Sequence, residues 1–409
     1  MAQEMIKEKK VKSSKFKTRS SKKNNDLKKE KGNIDLPFLF IIMSLLVIGI
    51  IMMFSASFAW AISEGKSGTY YAVEQIKNAV IGLVAMAILS KVDYHIFETR
   101  KIAYTIFLVA LVLLILVLII GDTVNGAQRW IKIGITFQPS EIMKFAITII
   151  FSLIIINNQK YLDKYKVVML PTTVILGIVT ILMLLQPHLS GTILMILIGF
   201  TVIFVGGVKT SHLLFTGLGA MVLLIIVVIF KITVEGTDYF LARFQSWQDP
   251  FADAKGDTWQ TAQSLIAIGS GGLFGLGLGE SRQKFLYLPE TKNDFVFSIV
   301  CEELGFIGAV TIILLFVFLV IRGIYIASKS KDKFGMLLCI GLVMQIAYQA
   351  FLNIAVVTNL VPNTGIGLPF FSYGGTSLIM LLAQMGIVLN ISKQSSINQI
   401  LPTDLSENK

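Results

Sequence analysis

An all-α bundle that crosses a membrane about ten times is the fold class this sequence predicts, and three observations predict it. Composition is the first: of 409 residues, 54% are hydrophobic and only 15% charged, with mean hydropathy +0.74, far more apolar than ordinary soluble usage. The second is the length of the apolar runs, which suits spanning helices; barrel strands would alternate in short segments. The third is an uneven distribution of Lys and Arg between successive loops, which gives the bundle an orientation.

The runs place spans at 36–61, 70–90, 102–120, 140–157, 167–185, 191–207, 213–232, 295–320, 336–357 and 370–392. The second and fourth carry the weakest signal, because Glu74 and Lys77 interrupt one and Glu141 and Lys144 the other. The N-terminal tail, the loops at 91–101, 158–166, 208–212 and 321–335, and the C-terminus hold 25 of the 36 Lys and Arg residues. Those segments are expected in the cytoplasm, with both termini inside. The chain then divides into a basic tail (1–35), a ten-helix domain (36–393) and a C-terminal tail (394–409), with a large structured extracellular loop at 233–294 between helices 7 and 8.

The tail has 12 basic against 5 acidic residues, so it supplies most of the net charge of +11. It reads as a disordered topology signal that touches anionic headgroups. With Phe16 as its only aromatic, it is not a nucleic-acid binder. The first span is too long, and too far from the N-terminus, for a cleaved signal peptide, so it is expected to stay as an anchor.

Two loops are longer than the rest. The first, at 121–141, contains Arg129, Trp130 and Lys132; the second mixes Phe244, Trp247, Phe251, Trp259, Phe274, Phe285 and Tyr287 with polar residues. That amphiphilic content predicts packed structure at an interface, including a short amphipathic helix over 258–268 on the bilayer surface. The glycine run "GSGGLFGLGLG" at 269–279 has no following Lys-Ser/Thr and no preceding strand, so it is no nucleotide loop. Its glycines read as tight turns or close approaches. Pro369 and the Gly374-Gly375 pair in "LPFFSYGGTS" predict an irregular or closely packed start to the last span.

The chemistry-bearing residues concentrate around "LPETKNDFVFSIVCEELG", 288–305. A carboxylate near hydrocarbon is costly unless paired or wetted, which marks Glu290, Asp294, Glu302 and Glu303. A helix starting near Pro289 would put Glu290 and Asp294 on one face. Asp294, at the mouth, suits a base or an electrostatic stabiliser, and equally an acid favoured by a helix N-terminus. Glu302 and Glu303, about 12 Å deeper at the helical rise, are expected to pair structurally with buried cations or polar backbone. Glu141 and Lys144, three apart, are expected to neutralise each other as an intramembrane ion pair.

Arg129, Lys132 and Arg243 stand on the face poor in positive charge, where either an anionic partner or lipid headgroups would meet them. Cys301 and Cys339 lie near opposite ends of their helices, too far apart to bridge. His188 stands alone, and no Cys/His cluster makes a zinc site. No metal site and no certain cofactor is predicted; a divalent cation such as Mg2+ stays open.

Four segments resemble the SEDS family (shape, elongation, division and sporulation), which includes FtsW, RodA and SpoVE. They are "AQRWIKIG.TFQPSE..K" at 127–144, "QPHLSGT" at 186–192, "AQSLIAIGSGG..G.GLG.S..K..YLPE...DF.F....EELG" at 262–305 and "NTGIGLPFFSYGGTS" at 363–377, in family order and spacing. The resemblance covers nearly all the chain after the basic tail. It departs at Asn293, where Thr is usual, and at His188, where many members, RodA types especially, have Asp. The second departure leans toward the FtsW or SpoVE branch.

The resemblance implies a peptidoglycan glycosyltransferase in the bacterial cytoplasmic membrane that polymerises lipid II at its outer face, in division or sporulation septum synthesis. It implies Asp294 as the catalytic acid-base group, and Arg129, Trp130 and Arg243 as site residues; Lys132 and Glu290 join them as substrate-binding candidates. The chemistry fits: a sugar hydroxyl attacks an anomeric carbon while a diphosphate leaves, which asks for one base and a cationic clamp. A lipid II flippase would use intramembrane charges along a path instead, and a scaffold would leave the charged constellation unexplained. The longest outer loop, at 233–294, is too small for a transpeptidase domain, so crosslinking falls to a partner. The resemblance implies a single-span class B penicillin-binding protein, alongside other division or sporulation membrane proteins.

Overall fold

The computed structural model describes residues 32–124, 127–133, 135–186, 188–235, 247–252 and 258–400. Eleven α-helices occur among them: α1 (Leu36–Ser63), α2 (Tyr70–Leu89), α3 (Arg100–Ile120), α4 (Pro139–Asn157), α5 (Met169–Leu185), α6 (Leu189–Val205), α7 (Thr210–Glu235), α8 (Trp259–Ser270), α9 (Val296–Ser328), α10 (Lys333–Val357) and α11 (Gly375–Ile400). Seven, namely α1 to α4 and α9 to α11, are long and apolar enough to cross a membrane, and α5, α6 and the Thr210–Val222 part of α7 are shorter apolar helices. Each of the ten expected spans is thus a helix, which satisfies its own backbone in a medium without water. Most of the basic tail, 1–31, lies outside the described residues.

Burial orders the bundle. In α4, 89% of the most apolar window is enclosed by protein, against 22% in α3 and 28% in α2. α4 is the central post, with α3, α6 and α10 against it, while α2 packs along α11 and α1 along α9. Close contact relies on small residues: Gly341 of α10 lies on the Thr148 side chain of α4, and Gly386 of α11 on the Met86 backbone of α2. Where α1, α9 and α11 converge, Asp35 caps α1 by accepting from the Phe38 amide at 2.9 Å, and Arg322 binds its carboxylate with two nitrogens. The start of the first span and the later part of the last therefore lie at one end of the bundle; Asp294 lies at the other.

Four features differ from the sequence expectation. Among the described residues the chain leaves helix for strand in the 121–138 loop, a small antiparallel sheet of β1 (Asp122–Val124), β2 (Ala127–Ile133) and β3 (Ile135–Phe137). Asn125-Gly126, the strongest short hairpin signal, stands in the sequence between β1 and β2. Second, no helix starts near Pro289: α9 begins at Val296, and Glu290 lies before it with φ +54, outside right-handed helical geometry, so Glu290 and Asp294 do not share a helix face. Third, α8 is docked onto the bundle. Its Thr261, Ala262, Gln263, Ser264 and Ala267 are buried, and the Ser264 hydroxyl meets Ser298 of α9 at 2.8 Å and the Val357 carbonyl of α10 at 2.7 Å. Finally, the last span starts at Gly375, and a turn closed by the Leu368 carbonyl over 368–372 precedes it.

The glycine run packs against a break in α9. Gly305 has φ +67 in mid-helix, and the Leu276 and Gly277 amides donate to the Glu302 and Glu303 carbonyls at 2.9 and 3.1 Å. A Cβ on Gly275 or Gly305 would overlap the facing backbone. This is the close approach the glycines allow.

Candidate functional site

Four consecutive residues of the turn before α9 are tied to four different partners, and that fixes Asp294. The Thr291 hydroxyl donates to the Ala56 carbonyl of α1 at 2.9 Å. The Lys292 carbonyl accepts from the Tyr373 amide at 2.8 Å, and the Asn293 carbonyl from the Ser372 hydroxyl at 2.5 Å. The Asp294 carbonyl accepts from the Asn353 amide of α10 at 2.7 Å. Each bond joins a different part of the turn to the scaffold, so the carboxylate is held without belonging to a helix.

Opposite it runs the 359–374 segment. Its Thr364 carbonyl accepts from Ser190 of α6 at 2.8 Å, its Ile366 carbonyl from Asn353 at 2.6 Å, and its Gly367 carbonyl from Gln349 at 3.0 Å. Gly365, at φ +67, sits beside two charged groups: a Cβ placed on it would lie 3.2 Å from Asp294 Oδ2 and 4.0 Å from Arg129 Nη1. The carboxylate and the guanidinium therefore border the same point, one from the turn before α9 and the other from β2.

At the start of α4, Glu141 and Lys144 form a buried ion pair at 2.8 Å, and Lys144 Nζ also reaches Gln349 Oε1 at 3.3 Å. His188 caps α6 nearby. Burial, reinforced by the Arg129 and Lys144 charges, keeps its imidazole well below the usual histidine range and neutral. Two cations and two carboxylates thus gather at one end of the bundle, an arrangement that can take a proton and stabilise an anion within one small volume.

Trp130 and Lys132 are on β2, opposite Asp122 and Thr136; the Lys132 side chain and all of Arg243 lie outside the described residues. Glu290 accepts from the Asn293 side chain at 2.6 Å. Glu302 and Glu303 are 1% exposed and belong to the break in α9. Glu302 receives the Ser281 hydroxyl and the Arg282 and Gln283 amides, and Glu303 pairs with the buried Lys284 at 2.9 Å and with Ser55 at 2.6 Å.

Sequence reasoning missed Gln349, Asn353, Ser372 and Gly365 as builders of the site. The first two carried a signal, uncharged amides four apart within an apolar span, which mark a functional face as ionisable groups do. It also missed Lys292, which bonds Glu64 and Tyr71 at 2.8 Å each and lies over the Trp60 and Tyr71 rings. Burial pushes the Glu64 carboxyl up, but hydrogen bonds from Lys292, Lys66 and Tyr71 outweigh it and hold Glu64 at about 2. Among the described residues no three His, Cys, Asp or Glu side chains converge as metal ligands.

The chain as a whole is similar to known proteins. Stage V sporulation protein E of Bacillus subtilis (strain 168) is 38% identical over 367 residues, 90% of this chain and 99% of the relative. The probable peptidoglycan glycosyltransferase FtsW of Geobacter sp. (strain M18) is 37% identical over 361 residues, 88% of this chain and 96% of that one. Among solved structures, a chain of a peptidoglycan synthase complex that coordinates polymerization and crosslinking superposes with a TM-score of 0.73 at 27% identity, over 88% of this chain and 98% of that chain. Residues 36–397 match the family described as cell cycle protein, that of FtsW, RodA and SpoVE, and the chain belongs to it.

Proposed function

We propose that this chain is a peptidoglycan glycosyltransferase that polymerises lipid II into glycan strands at the outer face of the cytoplasmic membrane, for septum synthesis in division or sporulation. The observation that carries the reading is the meeting of Asp294 and Arg129 beside Gly365 in a chain whose relatives bear that enzyme's name. The excess of Lys and Arg at the end opposite Asp294 supports an inside location for both termini and an outside location for the site.

In this mechanism a sugar hydroxyl of the acceptor attacks the donor's anomeric carbon. The hydroxyl proton passes to the Asp294 carboxylate as the new carbon–oxygen bond forms. The bond from the anomeric carbon to the phosphate oxygen breaks, and its electron pair leaves on the diphosphate. Arg129 meets that charge with a planar fork, with Lys132 and Arg243 completing the clamp and Trp130 and Glu290 contacting substrate. The Glu141–Lys144, Glu302 and Glu303 groups hold the scaffold. A divalent cation such as Mg2+ would help neutralise the diphosphate if one takes part; polymerisation surviving a chelator would remove it from the scheme.

The flippase reading is not favoured, since relatives such as that of Geobacter are named as glycosyltransferases and the charges gather at one end of the bundle. For crosslinking we propose a single-span class B penicillin-binding protein as partner, and other septal membrane proteins around it. The solved chain that this one resembles comes from an assembly that combines both reactions. The direct test incubates purified protein with lipid II, with and without the transpeptidase, and separates glycan chains by length. Absence of chains in both samples would count against the function.

A further inference from the structure

Asn353 is fully buried on α10, and its Nδ2 donates to two carbonyls, Asp294 at 2.7 Å and Ile366 at 2.6 Å. One nitrogen thus pins the turn that carries the candidate base and the segment that carries Gly365. The orientation of the amide follows from its neighbours: both are acceptors, so the nitrogen and not the oxygen faces them. Gln349, one turn earlier on the same face, holds the Gly367 carbonyl at 3.0 Å and Lys144 Nζ at 3.3 Å.

We propose that Asn353 is a positioning residue for Asp294, an inference that rests on the reading of Asp294 as the base: its amide sets the distance of the carboxylate from Gly365 and Arg129. The buried side chain reaches backbone carbonyls, so it acts through the turn. An amide suits this position because it brings two donor hydrogens on one planar nitrogen. Aspartate would face two acceptors with a third, and leucine would leave both carbonyls without their donor. The effect falls on the chemical step, since a displacement of about 1 Å in a reacting group costs on the order of 100-fold in rate.

The test compares Asn353→Ala, Asn353→Ser and Asp294→Asn in the full chain, reconstituted with lipid II over a range of concentrations, each variant checked for thermal unfolding. The expected result is a kcat for Asn353→Ala lower by about 10- to 100-fold with KM within about twofold, and a smaller loss for Asn353→Ser, which keeps one donor. Wild-type kcat, or a fall in kcat only in step with the folded fraction or with a matching rise in KM, would overturn the proposal. If Asn353→Ala does not fold, Asn353→Ser is judged by the same split. Full activity of Asp294→Asn would instead overturn the reading of the base, which keeps the two failures apart.

Discussion

Asp294 and Arg129 border one point beside Gly365: a methyl group there would lie 3.2 Å from the carboxylate Oδ2 and 4.0 Å from the guanidinium Nη1. The proximity joins two residues 165 positions apart in sequence (294 − 129), one on β2 and the other in the turn before α9. It allows one group to accept a proton while the other meets a leaving anion, provided nothing fills the space between them.

Gly365→Ala should therefore reduce turnover more than it reduces stability. The left-handed conformation at Gly365 costs an alanine about 1 to 2 kcal/mol, which a large bundle tolerates. The added methyl crowds the Asp294 carboxylate at 3.2 Å, and a loss of on the order of 100-fold in kcat is expected. Polymerisation rates beside thermal unfolding of the same preparation decide it.

Arg129→Lys keeps the charge but loses the planar fork, so activity should fall by about 10-fold or more. Binding of lipid II to the Arg129→Ala variant checks the role separately. Unchanged affinity would mean that Arg129 does not hold the diphosphate.

The break in α9 offers a stability test. Lys284 and Glu303 are 4% and 0% exposed as side chains, so removing either partner leaves an uncompensated buried charge. Glu303→Gln or Lys284→Met alone should cost about 3 to 5 kcal/mol, and the apolar double replacement less than either. Thermal unfolding in detergent measures all three.

These tests depend unevenly on what the sequence makes legible. The ten spans are readable because a run without water must be both apolar and long, and no alternative pattern imitates that. The Glu141–Lys144 spacing is readable for a similar local reason, one helical turn. The start of α9 is not, because Thr291, Asn293 and Asp294 are held in a non-helical turn by Ala56, Ser372 and Asn353, all distant in sequence. The docking of α8 through Ser264 is equally non-local, and an amphipathic pattern alone does not say which apolar surface will cover it.

Acid should act on the clamp beside the site. Glu64 is held at about 2, below its ordinary 4.5, so in the folded state it stays ionised where the unfolded chain takes up a proton. Its contribution to stability is present above about 4.5 and is lost as pH falls through 2. Glu64→Gln should therefore be less stable than the parent at neutral pH, with the gap closing between pH 4.5 and 2. Unfolding midpoints across that window check the sign; a gap that widens on acidification would contradict it.

The central claim concerns Asp294, and the most direct measurement is the rate of glycan formation from lipid II by Asp294→Asn against the parent, with equal amounts of folded protein. The substitution keeps size and polarity and removes basicity, so a loss of about 100- to 10,000-fold is expected, with lipid II still bound. Polymerisation at the parent rate would contradict the account.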